Sequence, residues 1–197
     1  MVAKKNTQMV ILASRSPRRI ELLKQVGIDC IVLPSDVDES VLQDESPVDY
    51  VKRLAHKKVL VTANSMKREY SHLCVLAADT TVSLQGEILG KPENDADAFE
   101  MLKKLSAKKH EVHTAVAVSF HGNTKVMLSS TNVEMMRLTE DMINTYITSA
   151  EHRDKAGSYG IQGRAAAWVK HIEGSYSGVM GLPLFETVQL INKITST

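Results

Sequence analysis

The stretch that decides the fold is MVILASRSPRRIELLKQVGIDCIVL, residues 9–33. Met9 to Ala13 is an uninterrupted apolar run, which predicts a buried strand. Pro17 to Val26 predicts a helix that ends at Gly27, where a left-handed turn is needed. Ile28 to Leu33 then predicts a second strand. A strand, a helix and a strand in this order indicate an α/β domain.

The rest of the chain continues this alternation and predicts a mixed sheet with flanking helices. The further predicted elements are a helix from Pro47 to about Ala63, a strand from Val75 to Ala78 ending at Asp79, the segments Thr81 to Leu84 and Ile88-Leu89 around a Gln85-Gly86 turn, a helix from Asp95 to Leu105, a hairpin of Val112 to Phe120 and Lys125 to Leu138, a helix capped by Thr139 that runs through Ala150, a loop from Ala156 to Gly163, a strand from Ala166 to Ile172 and a helix from Leu184 to Ile194. We expect one domain over residues 1–197, made of two lobes that divide inside residues 90–110.

Composition excludes several classes of protein. The 197 residues are 43% hydrophobic, enough for a sizeable core, and carry 24 basic and 23 acidic residues with 5% aromatics. A chain so balanced lacks the basic face and the stacking surface of a nucleic-acid binder and the charge of a membrane-surface protein. Cys30 and Cys74 are too few for a disulfide scaffold. No apolar run approaches the roughly 20 residues of a membrane span. We expect a cytoplasmic protein, with an organellar address left open.

A short basic segment predicts an anion site. Ser14-Arg15-Ser16-Pro17-Arg18-Arg19 joins the first strand to the first helix, with Ser16 as the N-cap and Pro17 as the first helical residue. Arg18 and Arg19 in the first turn oppose the helix dipole unless an anion binds there. Free N–H groups and two guanidinium groups suit a phosphate. A solvated basic turn is the alternative.

Carboxylates and lysines that could share the cleft come from separate segments. Asp79 at a strand end suits a metal ligand, a general base or a simple cap of the next turn. Glu39 lies in an acidic loop, which can be merely solvated. Helical phase puts Lys58 beside the apolar face of its helix and Lys57 nearly opposite, so Lys58 can reach a cleft or cover the helix edge. Lys91 precedes a proline in a stiff loop entry.

Other motifs carry less information. Gly157, Gly160 and Gly163 allow a close backbone approach, with Gln162 among the side chains available to a base. Neither a dinucleotide-binding Gly-x-Gly-x-x-Gly motif nor a P-loop occurs. His110 and His113 are three residues apart in a predicted strand, which does not match a zinc helix, and we interpret them as structural.

Taken in order, these segments resemble the Maf family of nucleotide pyrophosphatases over nearly the whole chain. The matching motifs are Leu-Ala-Ser-Arg-Ser-Pro-Arg-Arg at 12–19, Arg-Leu-Ala-x-x-Lys ending at Lys58, Ala-Ala-Asp-Thr at 77–80, Leu-Gly-Lys-Pro at 89–92, Asp-Lys-Ala-Gly-Ser-Tyr-Gly-Ile-Gln-Gly at 154–163 and Gly-Ser-Tyr-x-x-Val-x-Gly-Leu-Pro at 174–183. Several long motifs in register are a specific signal. Residues 64–74 match no motif.

The resemblance implies a fold, a reaction and a set of roles. It implies a two-lobed Maf/ITPase-like α/β fold around a central cleft, a homodimer, and a divalent cation, Mg²⁺ or Mn²⁺. The implied roles are Asp79, Lys58 and Lys91 as catalytic residues, Ser14, Arg18, Arg19, Thr80, Lys155 and Gln162 as substrate-binding residues, and Glu39 with Asp79 as metal ligands. Arg18, Thr80 and Gln162 match positions associated with the branch that hydrolyses dTTP and UTP to the monophosphate and pyrophosphate.

Two other functions stay open at this point. The chain could hydrolyse 7-methyl-GTP or another modified nucleotide, because substrate choice depends on few loop residues. It could instead bind nucleotide without turnover and regulate cell division. The biological role, nucleotide clean-up or division control, is not fixed by these residues. Whether Asp79 holds metal or accepts a proton also stays open.

Overall fold

The computed structural model describes residues 8–196, which form seven strands and six α-helices. The strands are β1 (Gln8–Leu12), β2 (Ile28–Val32), β3 (Cys74–Leu84), β4 (Glu87–Leu89), β5 (Lys109–Phe120), β6 (Asn123–Met135) and β7 (Val169–Glu173). The helices are α1 (Pro17–Gln25), α2 (Pro47–Ser65), α3 (Asp95–Leu105), α4 (Glu140–Thr148), α5 (Tyr176–Val179) and α6 (Leu184–Thr195). Short 3₁₀ helices cover Arg68–Tyr70, Ala156–Ser158 and Arg164–Trp168.

All seven strands belong to one mixed sheet, as predicted. The strand order is β2-β1-β3-β5-β6-β7, and β4 pairs with β3. The pairs β1–β2 and β1–β3 are parallel, whereas β3–β5, β5–β6 and β6–β7 are antiparallel. The strand β3 therefore joins the parallel part to the antiparallel part.

The prediction that a strand ends at Asp79 is wrong, because β3 continues to Leu84. Antiparallel pairing with β5 runs without a break from Val75 to Ser83 and holds Asp79 in mid-strand. On the other edge, the register with β1 stops at Leu76 and the pairing with β4 begins at Val82. Residues 77–81 are thus paired on one edge in the described sheet.

Helices cover both faces of the sheet. Val10 and Leu12 pack with Leu23 and Leu190 on the α1 and α6 face. Their neighbour Ile11 packs on the opposite face, in the cluster that includes α2 residues such as Val51 and Val59. Because both faces of β1 are covered over Val10–Leu12, these three residues are all apolar and buried. A third cluster gathers α3 and α4 around the far ends of β3, β5 and β6. The two-lobe division stays a prediction, and residues 1–7 and 197 of the predicted domain lie outside the described range.

Local signals determine the starts of α2 and α3 and the turn after α1. Ser46 Oγ accepts a hydrogen bond from Asp49 N at 3.1 Å at the start of α2. Asn94 Oδ1 accepts one from Asp97 N at 2.9 Å at the start of α3, whose predicted bounds are confirmed. Gly27 has the left-handed φ of +75° that the predicted turn after α1 required.

In the C-terminal third the helices α4 and α6 agree with the prediction, but other segments differ. Residues 166–168 belong to a 3₁₀ helix rather than to a strand, and β7 begins at Val169. Trp168 turns inward there and packs edge-on against Tyr146 with ring centroids 4.8 Å apart. The short helix α5, capped by Ser175 Oγ, was not predicted. Within residues 8–196, no helix is long and apolar enough to cross a membrane.

Candidate active site

A cavity of about 1010 Å³ lies beyond the carboxyl ends of β1 and β2, against the free edge of β3. The segment after β1, the loop after β2 and the start of α1 all face it. Ten predicted site residues line this one cavity: Ser14, Arg18, Arg19, Glu39, Lys58, Asp79, Thr80, Lys91, Lys155 and Gln162. The structure therefore brings together residues from segments up to 148 positions apart in sequence, between Ser14 and Gln162.

Arg19 is held by hydrogen bonds along three directions. Its Nε donates to the carbonyl oxygen of Gly181 at 2.8 Å, its Nη1 to Ser14 Oγ at 3.0 Å and its Nη2 to Thr80 Oγ1 at 3.4 Å. Ser16 is the N-cap of α1, but its side chain accepts no hydrogen bond from the described helix. The first turn of α1 thus keeps its positive end for a ligand.

Lys58 bridges two carboxylates. Its Nζ lies 2.6 Å from Asp79 Oδ1 and 2.5 Å from Glu39 Oε1. Lys58 is 9% exposed, whereas Lys57 is exposed, as helical phase predicted. Asp79 is also buried, and its Oδ2 accepts no hydrogen bond from residues 8–196. Oδ2 is therefore the oxygen that is free for chemistry.

Burial and charge act in opposite directions on these carboxyls. Burial raises the pKa of Asp79 above its ordinary value, and the nearby Lys58 and Arg19 charges reduce that rise without reversing it. Burial also tends to raise the pKa of Glu39, but Lys58 and Lys91 outweigh it, so that pKa is lowered. The pKa values of the two carboxyls are thus shifted in opposite directions. Such a difference is typical of a pair in which one carboxyl accepts a proton and the other stays ionised.

The loop that carries Glu39 is tied to α2. Tyr50 donates its hydroxyl hydrogen bond to the Glu39 carbonyl oxygen at 3.0 Å. Arg53 forms a two-pronged ion pair with Glu45, at 2.5 and 2.7 Å, and donates to the Ser40 carbonyl oxygen at 2.9 Å. Sequence reasoning missed these supporting residues. Arg53 is the first residue of the Arg-Leu-Ala-x-x-Lys motif that ends at Lys58, and this motif was the one sequence feature that could have indicated its role.

The remaining predicted residues complete the cavity wall. Lys91 is exposed and lies 3.2 Å from Glu39 Oε2. Lys155 Nζ donates to the Glu151 carbonyl oxygen, and its stem packs so closely on Gly160 that an added Cβ would lie 2.7 Å from it. Arg18 and the exposed Gln162 make no hydrogen bond to other side chains within residues 8–196, so both remain available to a ligand.

The histidine pair and the cysteines lie apart from this chemistry. His110 Nε2 is 2.8 Å from the Tyr159 hydroxyl, and His113 Nδ1 is 2.8 Å from Ser130 Oγ. Both cysteines, Cys30 and Cys74, are free thiols. Among residues 8–196, no group of three or more His, Cys, Asp or Glu side chains could hold a metal ion. A cation here would need oxygen ligands from a bound substrate.

Comparison with known proteins gives consistent matches. A family model described as Maf-like protein matches residues 9–194. A dTTP/UTP pyrophosphatase from Methylobacillus flagellatus is 52% identical over 94% of this chain and 92% of its own. One from Nitrosomonas europaea is 50% identical over 93% of each chain. A nucleoside triphosphate pyrophosphatase from Haemophilus ducreyi is 44% identical over 93% of each. The Staphylococcus aureus Ham1 structure shares 19% identity with a TM-score of 0.47, covering 65% of this chain and 72% of that one.

Proposed function

The chain belongs to the Maf family, and from that premise we propose that it hydrolyses dTTP and UTP to the nucleoside monophosphate and pyrophosphate. The observation that carries this proposal is a single cavity lined by both basic and acidic side chains. Arg18 and Arg19 lie at the positive start of a helix, and Asp79, paired with Lys58, lines the same cavity. The arginines suit a triphosphate, and the carboxylate suits an attacking water.

Asp79 is the proposed proton acceptor. Water must lose a proton as it attacks phosphorus, and a buried carboxylate with a free oxygen can take it. Its raised pKa makes it a stronger base than an exposed aspartate. Lys58 Nζ donates a hydrogen bond to Oδ1 and leaves Oδ2 without a partner among residues 8–196. The ammonium group therefore orients the carboxylate and keeps Oδ2 free to accept a proton.

The basic residues bind and neutralise the triphosphate. Negative charge grows on the departing pyrophosphate during cleavage, so guanidinium and ammonium groups that face it lower the barrier. Arg19 is oriented by three hydrogen bonds, and Arg18 is free to move onto a phosphate. Lys91 and Lys155 line the same cavity from two neighbouring loops, which are joined by the hydrogen bond from Gly157 N to the Gly90 carbonyl oxygen. Gln162 and Thr80 are the proposed residues that read the substrate.

Asp79 and Glu39 would hold a divalent cation. Oxygens of both carboxylates already converge on one positive charge, Lys58 Nζ, so the pair is placed to share a cation. Mg²⁺ and Mn²⁺ accept such oxygen ligands together with substrate phosphates. When bound, the metal would neutralise phosphate charge and lower the pKa of water. The residues present therefore fit the group.

A panel of triphosphates tests the proposal. We expect the purified full chain to release pyrophosphate and monophosphate from UTP and dTTP in the presence of Mg²⁺ or Mn²⁺, as measured by chromatography of the products. Turnover of 7-methyl-GTP with none of UTP and dTTP would contradict it. Release of inorganic phosphate and diphosphate would also contradict it, because the wrong bond would have broken.

The setting of the enzyme is also proposed. We propose a cytoplasmic homodimer that has neither nucleic acid nor membrane as a partner and that serves in nucleotide clean-up. The balanced charge of the chain supports the absence of polyanionic partners. Light scattering coupled to size-exclusion chromatography tests the dimer, and a monomer at micromolar concentration would contradict it.

A further inference from the structure

A buried threonine outside the predicted site contacts Thr80 and Gly178, which are linked to Arg19 from two sides. Thr114 lies in β5 directly opposite Thr80 in β3 and is fully buried. Its Oγ1 lies 3.0 Å from Thr80 Oγ1 and 2.8 Å from the Gly178 carbonyl oxygen. A hydroxyl carries one proton, so Thr114 can donate to one of these oxygens at a time while it holds its place between them.

Both contacts lead back to the Arg19 guanidinium. On one side, Thr80 Oγ1 accepts the hydrogen bond from Arg19 Nη2. On the other side, Gly181 N donates to the Gly178 carbonyl oxygen at 2.9 Å, and the Gly181 carbonyl oxygen accepts from Arg19 Nε. Thr114, Gly178, Gly181, Arg19 and Thr80 thus close a ring of hydrogen bonds.

The turn after α5 packs against both Thr80 and Arg19. Gly181 has a φ of +108°, and a Cβ added to it would lie 3.4 Å from Thr80 Oγ1 and 3.7 Å from Arg19 Nε. Arg19 has five N–H donors, and three of them bond to Gly181, Ser14 and Thr80. Among residues 8–196, one N–H group on each of Nη1 and Nη2 has no hydrogen-bond partner. These two N–H groups are the Arg19 fork, which can bind a phosphate oxygen.

We propose that Thr114 is a positioning residue for phosphate binding, which aims the Arg19 fork by bracing Thr80 and the 178–181 turn together. The inference rests on the proposed function for the identity of the triphosphate. It adds the 174–183 motif to the phosphate site through a backbone carbonyl. Thr114 itself touches no substrate.

Thr114→Val tests the inference with little change in shape. We expect the KM for UTP to rise on the order of tenfold, because a misaimed guanidinium loses a charge-assisted hydrogen bond. The variant should fold, since the Gly178 carbonyl oxygen keeps Gly181 N and Thr80 keeps Arg19. Thr114→Ser should restore the wild-type KM. Thr187→Val is the matched control, because Thr187 in α6 is equally buried and its hydroxyl donates to the carbonyl oxygen of Pro183, the N-cap of that helix.

A double-mutant cycle separates positioning from general damage. If Thr114 acts through Arg19, then Thr114→Val should have no further effect in an Arg19→Met background. Effects that multiply would overturn the inference, as would a Thr114→Ser variant that behaves like Thr114→Val. Thr114→Ala serves in the same cycle if the valine variant does not fold.

Binding of inorganic triphosphate, measured by calorimetry, keeps this test independent of hydrolysis. A wild-type chain that binds triphosphate but does not cleave UTP would refute the proposed function alone, and Thr114→Val should still weaken that binding. Equal binding by the wild type and Thr114→Val would refute the inference alone.

Discussion

Lys58 pairs with two acidic side chains of the cavity, Asp79 and Glu39. It comes from α2, reaches across to β3 and contacts both carboxylates at hydrogen-bond distance. A buried charge without a partner is strongly unfavourable, so each of Lys58 and Asp79 depends on the other. Substitutions at these two positions therefore separate chemistry from binding.

Asp79→Asn should remove the proton acceptor and keep the shape of the site. We expect kcat to fall by about 10²–10⁴, the usual contribution of a general base. The arginines proposed to bind the triphosphate are unchanged, so UTP should still bind. Pyrophosphate release and calorimetric binding of UTP check both halves. Unchanged release with retained binding would exclude Asp79 as the base.

The rate should rise with pH as Asp79 loses its proton, because the ionised carboxylate is the active form. Lys58 lowers the pKa of Asp79, although burial dominates and raises it. Removing that charge in Lys58→Met should raise the Asp79 pKa further and move the acid limb of kcat/KM to higher pH. Lys57→Met, its exposed neighbour, is the control and should leave the limb in place. A limb that Lys58→Met does not move, or moves to lower pH, would contradict this assignment.

At the scale of elements, the loop between β2 and α2 has no regular structure yet carries a predicted metal ligand. Its position depends on α2 through Tyr50 and Arg53. Arg53 anchors it at two points, the Glu45 carboxylate and the Ser40 carbonyl oxygen. Because Glu39 directly precedes Ser40, the anchor fixes the backbone next to the ligand.

Arg53→Ala should loosen this loop and weaken the cation site. We expect the Mn²⁺ concentration for half-maximal activity to rise several-fold, since a ligand that must be ordered on binding costs free energy. A titration of activity with Mn²⁺ measures it. Lys52→Ala, an exposed neighbour on the same helix, should show the wild-type value. Equal titrations for Arg53→Ala and the wild type would show that the anchor is irrelevant to the metal.

Local patterns predicted the elements whose causes are local. The apolar spacing of Ala98, Leu102 and Leu105 predicted α3 with its exact bounds, and helical phase distinguished Lys58 from Lys57. The continuation of this strand through Asp79 was missed because pairing with β5, which places Asp79 opposite Ala115, decides its length. The anchors of Glu39 and the Thr114 ring were missed for the same reason, since hydrogen bonds across the fold leave no local spacing.

For the whole molecule, the free energy of unfolding should depend on pH through two buried histidines of the sheet, His110 and His113. Burial lowers the pKa of His110 from 6.5 to about 4. Burial also lowers the pKa of His113. A histidine held neutral in the folded chain binds its proton in the unfolded chain, so its stability contribution is lost as pH falls.

The free energy of unfolding should therefore decrease as pH falls from about 6.5 to about 4. The contribution of His110 to this decrease is on the order of 3 kcal/mol. His110→Gln keeps a group that can bond Tyr159 and should flatten this dependence. Urea unfolding at several pH values measures it. His121→Gln, in an exposed turn, is the control. A wild-type chain equally stable at pH 7 and pH 4.5 would contradict the expectation.

The half-paired stretch of β3, residues 77–81, has one more consequence. Unpaired strand edges usually invite intermolecular β-pairing and aggregation. Here that edge faces a cavity rimmed by arginine, lysine and carboxylate side chains, which no foreign strand could enter without stripping their hydration. The groups proposed to bind phosphate therefore also hinder β-pairing of another chain with this stretch of β3.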